Sequence, residues 1–218
     1  MRRQKGEKMD NYVITIARGF GSGGKEIGSK LAARLGIPCY ESQILKMASD
    51  ESGLNEALFS QVDEKLNVEG RVRSYLRRVP FEKVATPSMK EFTSDINLFN
   101  IQSQIIRHLA NSESCIIIGK CADYVLRKYP NVLSVYIEAP RSACVNSIMN
   151  KMGVTEAEAH KLIEKTDKYR ADYYKYYTHG GYWTNPVNYD LTLNSDRVGR
   201  DKCVDVLEQF LKIKFELE

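Results

Sequence analysis

Long hydrophobic runs are missing from this chain of 218 residues: no stretch approaches the roughly 20 apolar residues that span a bilayer, and no apolar segment opens the N-terminus as in a secretory signal. No membrane partner is expected, and the expected location is cytoplasmic. Histidine is scarce, and His108, His160 and His179 are too scattered for a ligand set or a catalytic triad. The five cysteines, Cys39, Cys115, Cys121, Cys144 and Cys203, are odd in number and lack the close pairs of a zinc site or a redox motif. Cys39 and Cys115 read as small core residues beside strands. Charge of one sign is also in short supply. The formal net charge is +4, and three of those charges fall in the first eight residues, where Arg2, Arg3, Lys5 and Lys8 oppose Glu7. A near-neutral body excludes the clustered basic face of a nucleic-acid-binding protein.

What is present is a globular composition, 43% apolar and 28% charged, on a chain long enough for one or two domains. At this length roughly 70% of the unfolded chain's surface can be buried without disulfides or metals. Residues 1–10 read as a polar tail. Tyr12–Ala17 is a nearly continuous β-branched run, the pattern of a strand buried on both faces of a parallel sheet. A glycine-rich turn follows, then a helix with Ile27, Leu31 and Leu35 on one face, ended by Gly36 and Pro38. The alternation returns with a strand at Cys115–Ile118, a helix at Ala122–Tyr129, a strand at Val132–Glu138, a helix at Arg141–Met152, a strand at Tyr189–Leu193 and a closing helix at Arg200–Lys212. Strands alternating with helices imply an α/β fold with a parallel sheet covered on both faces. Two stretches interrupt it. Ser42–Ala110 is helical in pattern with no strand candidate, and Thr155–Tyr177 is a long polar helix rich in charge and tyrosine.

Gly19-Phe-Gly-Ser-Gly-Gly-Lys25 fits G-x-x-x-x-G-K directly after a buried strand and before a helix. Glycines are needed where backbone must wrap a phosphate closely, so that the amides of about Gly21–Glu26 donate to its oxygens while Lys25 reaches the β- and γ-phosphates. The helix starting at Gly24 adds the positive end of its dipole. Gly19, Gly21, Ser22, Gly23, Gly24, Lys25 and Glu26 are therefore candidates for binding a nucleotide donor. Glu26 and Ile27 stand where a hydroxyl would ligate Mg²⁺, which leaves the metal ligand unassigned.

These residues belong to a wider set. Together with Ile-Pro-Cys-Tyr-Glu (37–41), Ile-Ile-Ile-Gly-Lys-Cys-Ala-Asp (116–123), Asp-Lys-Tyr-Arg-Ala-Asp-Tyr-Tyr-Lys-Tyr-Tyr (167–177) and Asn-Tyr-Asp-Leu-Thr-Leu-Asn-Ser (188–195), the chain resembles the cytidylate kinase-like family of P-loop nucleoside monophosphate kinases over Tyr12–Leu211. The resemblance implies a P-loop kinase fold: a parallel sheet of about five strands with helices on both faces, one domain over 11–214, a helical acceptor-binding insertion at 42–110 and a lid at 155–185. It implies ATP and Mg²⁺ as cofactors, a nucleotide donor and a small phosphate-bearing acceptor. Lys120 matches an arginine that holds the acceptor phosphate, without its bidentate fork. Asp167 and Arg170 match the lid pair whose arginine bridges donor and acceptor. Glu41, Ser42 and Asp123 fall near the acceptor nucleoside, and Asn194 and Ser195 near the adenine. In the true cytidylate kinases an Asp stands at the position of Cys121, a second lid arginine lies upstream of Arg170, and an Arg follows the pair matched by Glu41-Ser42; none of these is present here.

The residues alone leave some choices open. Asp167 and Arg170 share a helix face with Tyr174 and Tyr177, which suits either a surface ion pair or an arginine carried in by a lid. Six tyrosines between Tyr169 and Tyr182 fit packing better than base stacking. Lys65–Lys83, with Arg71, Arg73, Arg77 and Arg78, carries six cations against two anions and suits a solvated helix face or a cover over the acceptor pocket. The expected activity is ATP-dependent phosphoryl transfer to a CMP-type acceptor, with Lys25, Lys120 and Arg170 carrying it. The alternatives are a P-loop kinase for another small acceptor and a nucleotide-binding regulator without turnover.

Overall fold

The computed structural model describes residues 11–56, 58, 59 and 94–217. The expected tail at 1–10 and the basic run Lys65–Lys83 lie outside the described residues. Five strands form one parallel sheet in the order β2-β3-β1-β4-β5, with β1 Val13–Arg18, β2 Cys39–Tyr40, β3 Cys115–Ile118, β4 Val132–Glu138 and β5 Leu191–Asn194. The strand at Cys39–Tyr40 has only two residues, too few to show a pattern, and its pairing with Ile116 and Ile117 comes from the sheet rather than from propensity.

Side chains alternate across β1, and both sides are covered. Ile14 and Ile16 join Ile116, Ile118, Leu133, Val135 and Ile137 against α1 (Gly24–Leu35) and the C-terminal helix, which packs through Cys203, Val204, Leu207 and Leu211. Val13, Cys115, Ile117 and Tyr136 face the other way, against α2 (Gln43–Ser52) and α3 (Asp95–Ser112). Burial on both faces explains why β1 reads as a nearly continuous apolar run and β3 as an unbroken one. Between β3 and β4, α4 is a single turn, Ala122–Val125; residues 126–129, expected to continue it, leave the helix, with the amide of Arg127 closing back on Tyr124 O and that of Tyr129 on Leu126 O in tight three-residue turns. Cys115 is buried as expected, and Cys39 is half-buried.

Helices α5 (Arg141–Met152) and α6 (Glu156–Tyr177) pack as a pair, with Val145 and Ile148 against Ala159 and Ile163. Thr155 and Glu158 cap α6 reciprocally. Farther along, Tyr173, Tyr174 and Tyr177 enter the main core, where Tyr177 stacks on Phe99 of α3 with ring centroids 3.9 Å apart. These three tyrosines fill the core, Tyr169 and Tyr176 pack partly against it, and Tyr182 is exposed; one continuous helix runs from the α5 side to the centre of the fold. Short α7 (Ser195–Val198) and long α8 (Arg200–Phe215) finish the chain. None of the helices among the described residues is long and apolar enough to cross a membrane.

Strand β1 lies between β3 and β4, the point at which the connections turn from one side of the sheet to the other. Crevices form outside the carboxyl ends of strands at such a point. The loop after Arg18 opens there.

Candidate functional site

The loop from Gly19 to Gly24 is fixed from beneath. Ser22, fully buried, donates its hydroxyl to Gly19 O at 2.9 Å and Ile137 O at 3.0 Å, and Ser195 donates to Ser22 O and to Glu138 O. Asn194 caps α7 by accepting from the amides of Asp196 and Arg197. Ser22, Asn194 and Ser195 thus hold backbone in place behind the loop. Gly23 has φ +83°, and a Cβ there would come within 2.5 Å of Arg200 Nε, so both the turn and the arginine require glycine.

Helix α6 closes over the loop. Asp167 Oδ1 accepts the amide of Phe20 at 2.9 Å, and Arg170 donates to Arg18 O at 2.9 Å and to Asp167 at 3.3 Å. Burial and the nearby Arg18 guanidinium lower Arg170 to about 10, so it stays charged at neutral pH, while burial raises Asp167. The two residues that share a helix face in the sequence share one job here, fastening α6 to the end of β1.

Two cavities meet at this point. One, of about 820 Å³, is lined by Gly19, Gly21, Gly23, Gly24, Lys25 and Glu26, and farther out by Ser147, Asn150, Lys151 and Arg200. The other, of about 290 Å³, is lined by Ser42, Lys120, Cys121 and Asp123 together with Leu45, Ile118, Tyr169, Tyr173, Tyr174 and Trp183. Arg18, Glu41 and Arg170 line both. Glu41, immediately after β2, accepts from Arg18 at 3.0 Å and from Lys25. Burial alone would raise its carboxyl, but Lys25 and Arg18 outweigh that and hold it below the usual carboxylate value.

The smaller cavity is bordered by a left-handed turn. Gly119, Lys120 and Cys121 have φ of +75°, +58° and +52°, two of them non-glycine residues in a conformation that packing must sustain. A Cβ at Gly119 would collide with the Arg18 guanidinium. Asp123, 8% exposed, accepts from Tyr174 Oη at 2.8 Å, and burial pushes its carboxyl up to about 6 against the opposing effect of that hydrogen bond.

Every expected loop residue except Ser22 therefore lines the larger cavity, and Ser42, Lys120 and Asp123 line the smaller one. Asp167 sits between loop and helix. Sequence reasoning passed over Arg18, Arg200, Lys151 and Trp183. Arg18 adjoins Gly19 and its place at the strand end was a usable signal; Arg200 reaches the loop only through the packing of α8 on α1.

A model of the cytidylate kinase-like family matches residues 13–197. The chain belongs to the cytidylate kinase-like family. Among solved structures it is similar to an uncharacterized protein from Eubacterium ventriosum, at 24% identity, a TM-score of 0.68, and coverage of 93% of this chain and 99% of that one. It is also similar to a shikimate kinase from Bacteroides thetaiotaomicron, at 11% identity, a TM-score of 0.51, and coverage of 92% and 98%. These likenesses establish the P-loop kinase fold. No curated protein matches the sequence. The cytidylate kinase-like protein thus has the fold and family that its motifs indicated, with two cavities joined through three charged side chains.

Proposed function

We propose that this protein is a cytoplasmic phosphotransferase that moves the γ-phosphoryl group of ATP to a nucleoside monophosphate of the CMP type, with residues 11–214 acting as one unit. The observation that carries the reading is the junction of the two cavities at Arg18, Glu41 and Arg170. Phosphoryl transfer asks for two phosphate-bearing substrates end to end, with positive charge around the oxygens of the group in flight. Lys25 and the loop amides hold the donor phosphates; Arg170 and Arg18 face the transferring group; Lys120 holds the acceptor phosphate. Asp123, Ser42 and the aromatic wall take the acceptor nucleoside, and Asp167 positions the loop and Arg170. An anionic oxygen of the acceptor phosphate bonds to the γ-phosphorus as the bond to the bridging β-γ oxygen breaks, leaving ADP. The attacking oxygen is already deprotonated, so no general base is needed.

The loop that precedes Lys25 and the cavity it opens fit a nucleotide's phosphates. Among the described residues no cluster of three or more ligating side chains stands ready for an ion. Lys25 and the loop amides would hold the phosphates of a Mg²⁺-bound nucleotide, and the ion would supply charge neutralisation to them.

Glu41 supports a second reading. A carboxylate at the junction suits a hydroxyl acceptor, from which it would take the proton, better than it suits an incoming phosphate dianion. A coupled assay of Mg·ATP turnover with CMP, dCMP, UMP, AMP and small hydroxylated acids separates the two. Stimulation by CMP-type acceptors supports the first reading, stimulation by a hydroxyl acceptor alone supports the second, and tight ATP binding without stimulation by any of them overturns both.

A further inference from the structure

Glu26 follows the loop lysine where a phosphate site should tolerate a carboxylate poorly, and the fold gives it a partner. Arg200, the first residue of α8, donates from Nη1 to Glu26 Oε2 at 2.6 Å and from Nη2 to Ser147 Oγ of α5 at 2.7 Å. Lys30 closes on the other oxygen of Glu26 at 2.9 Å. The guanidinium is thus tied to the helices on either side of the donor cavity, and its stem covers Gly23 of the loop. Five N–H donors on a planar fork allow it to keep both bonds and still present an edge to a ligand. About a third of the side chain is exposed.

We propose that Arg200 is a binding residue for the donor's polyphosphate, and that Glu26 is its positioning residue rather than a ligand for the metal ion. The proposal rests on the donor site of the reading above, and it deepens that site: the cation lost to Glu26 at one end of the loop is supplied from a helix far along the chain. A carboxylate already engaged by Arg200 and Lys30 is a poor metal ligand, since either bond must break before it can turn to an ion. The same engagement removes the repulsion that a bare Glu26 would exert on phosphate.

Isothermal titration of the full chain with Mg·ATP, metal-free ATP, inorganic tripolyphosphate and adenosine tests this without any acceptor. In R200M, which keeps the stem over Gly23, ATP and tripolyphosphate should both bind about tenfold more weakly while adenosine is unaffected, the loss expected for one charge-assisted contact. R200K should recover part of that loss. E26Q keeps an acceptor for Arg200 and removes a negative charge, so both forms of ATP should bind as tightly as to the parent or more tightly, with the Mg²⁺ dependence unchanged. Thermal unfolding of each nucleotide-free variant reports whether the fold is intact, and if R200M is unfolded, the tripolyphosphate affinities of R200K and E26Q decide. Unchanged tripolyphosphate binding in R200M, or in R200K where that variant decides, overturns the role of Arg200; a selective loss of Mg·ATP over metal-free ATP in E26Q overturns that of Glu26. A parent protein that binds ATP and tripolyphosphate yet phosphorylates no acceptor overturns the proposed reaction alone, whereas one that binds neither overturns both.

Discussion

Lys25 and Glu41 meet across the boundary of the two cavities: the ammonium of the loop lysine rests on the carboxylate that follows β2, and Arg18 joins the same carboxylate at 3.0 Å. On the proposed reaction, a donor nucleotide would have to draw Lys25 away from Glu41, and an acceptor that engages Glu41 would release it. The two proposed substrates would thereby be linked through one ion pair.

Removing that pair should have opposite effects on binding and turnover. In E41Q, ATP should bind the acceptor-free protein up to about fivefold more tightly, in keeping with an exposed ion pair worth under ~1 kcal/mol, while acceptor-dependent turnover falls. Titration with ATP alone beside steady-state kinetics checks this; weaker ATP binding in E41Q contradicts it.

Arg170 is half-buried against the end of β1 and keeps its charge. Lysine preserves the charge but cannot hold Arg18 O, Asp167 and a transferring phosphoryl group together. R170K should lower kcat about 100-fold, the scale of one lost transition-state donor, with KM for ATP changing little. A rise in KM with unchanged kcat contradicts the placement.

Asp123 gives a pH signature. Its carboxyl sits near 6 when folded, against 3.8 in an ordinary aspartate, because burial favours the protonated form. The folded state therefore binds this proton more tightly than the unfolded state, and stability contributed by Asp123 is full at the acid end and lost as pH rises from about 4 to 6, by about 3 kcal/mol. Urea unfolding of the parent and D123N across this range should show the difference between them growing with pH and levelling above 6. Equal slopes contradict it.

The stacked pair Phe99 and Tyr177 fastens α6 to α3. F99A should destabilise the fold by about 3 to 5 kcal/mol through the cavity it leaves. The same change loosens the wall that Tyr173 lends to the smaller cavity, so acceptor KM should rise more than ATP KM. Thermal unfolding and kinetics together check it.

The sheet and the loop were legible because their signals are local. Val13–Ile16 is buried on both faces and so reads as a nearly continuous apolar run, and the glycine spacing of Gly19–Lys25 is itself the pattern of a phosphate-wrapping loop. The tyrosines of α6 could be read as core, since three of them recur on one helical face. The early end of α4 was not legible in its local turns, and the two-residue β2 was not legible because tertiary hydrogen bonds set it. Arg200 and the contact between Lys25 and Glu41 were hidden for the same reason: each joins residues whose proximity exists only after α8 and β2 have packed. The donor half of the candidate site was written in one motif, while the acceptor half was distributed over β1, β2, β3 and α6.

On the proposed function, both cavities serve one reaction through Arg18, Glu41 and Arg170. An adenosine–cytidine bisubstrate analogue joined by five phosphates tests it most directly, with its affinity compared with those of ATP and CMP. Binding should be at least about 100-fold tighter than for either substrate alone, through the effective concentration that linkage confers, and most of that gain should be lost in R170A. An analogue that binds no more tightly than ATP, or equally well to R170A, would contradict it.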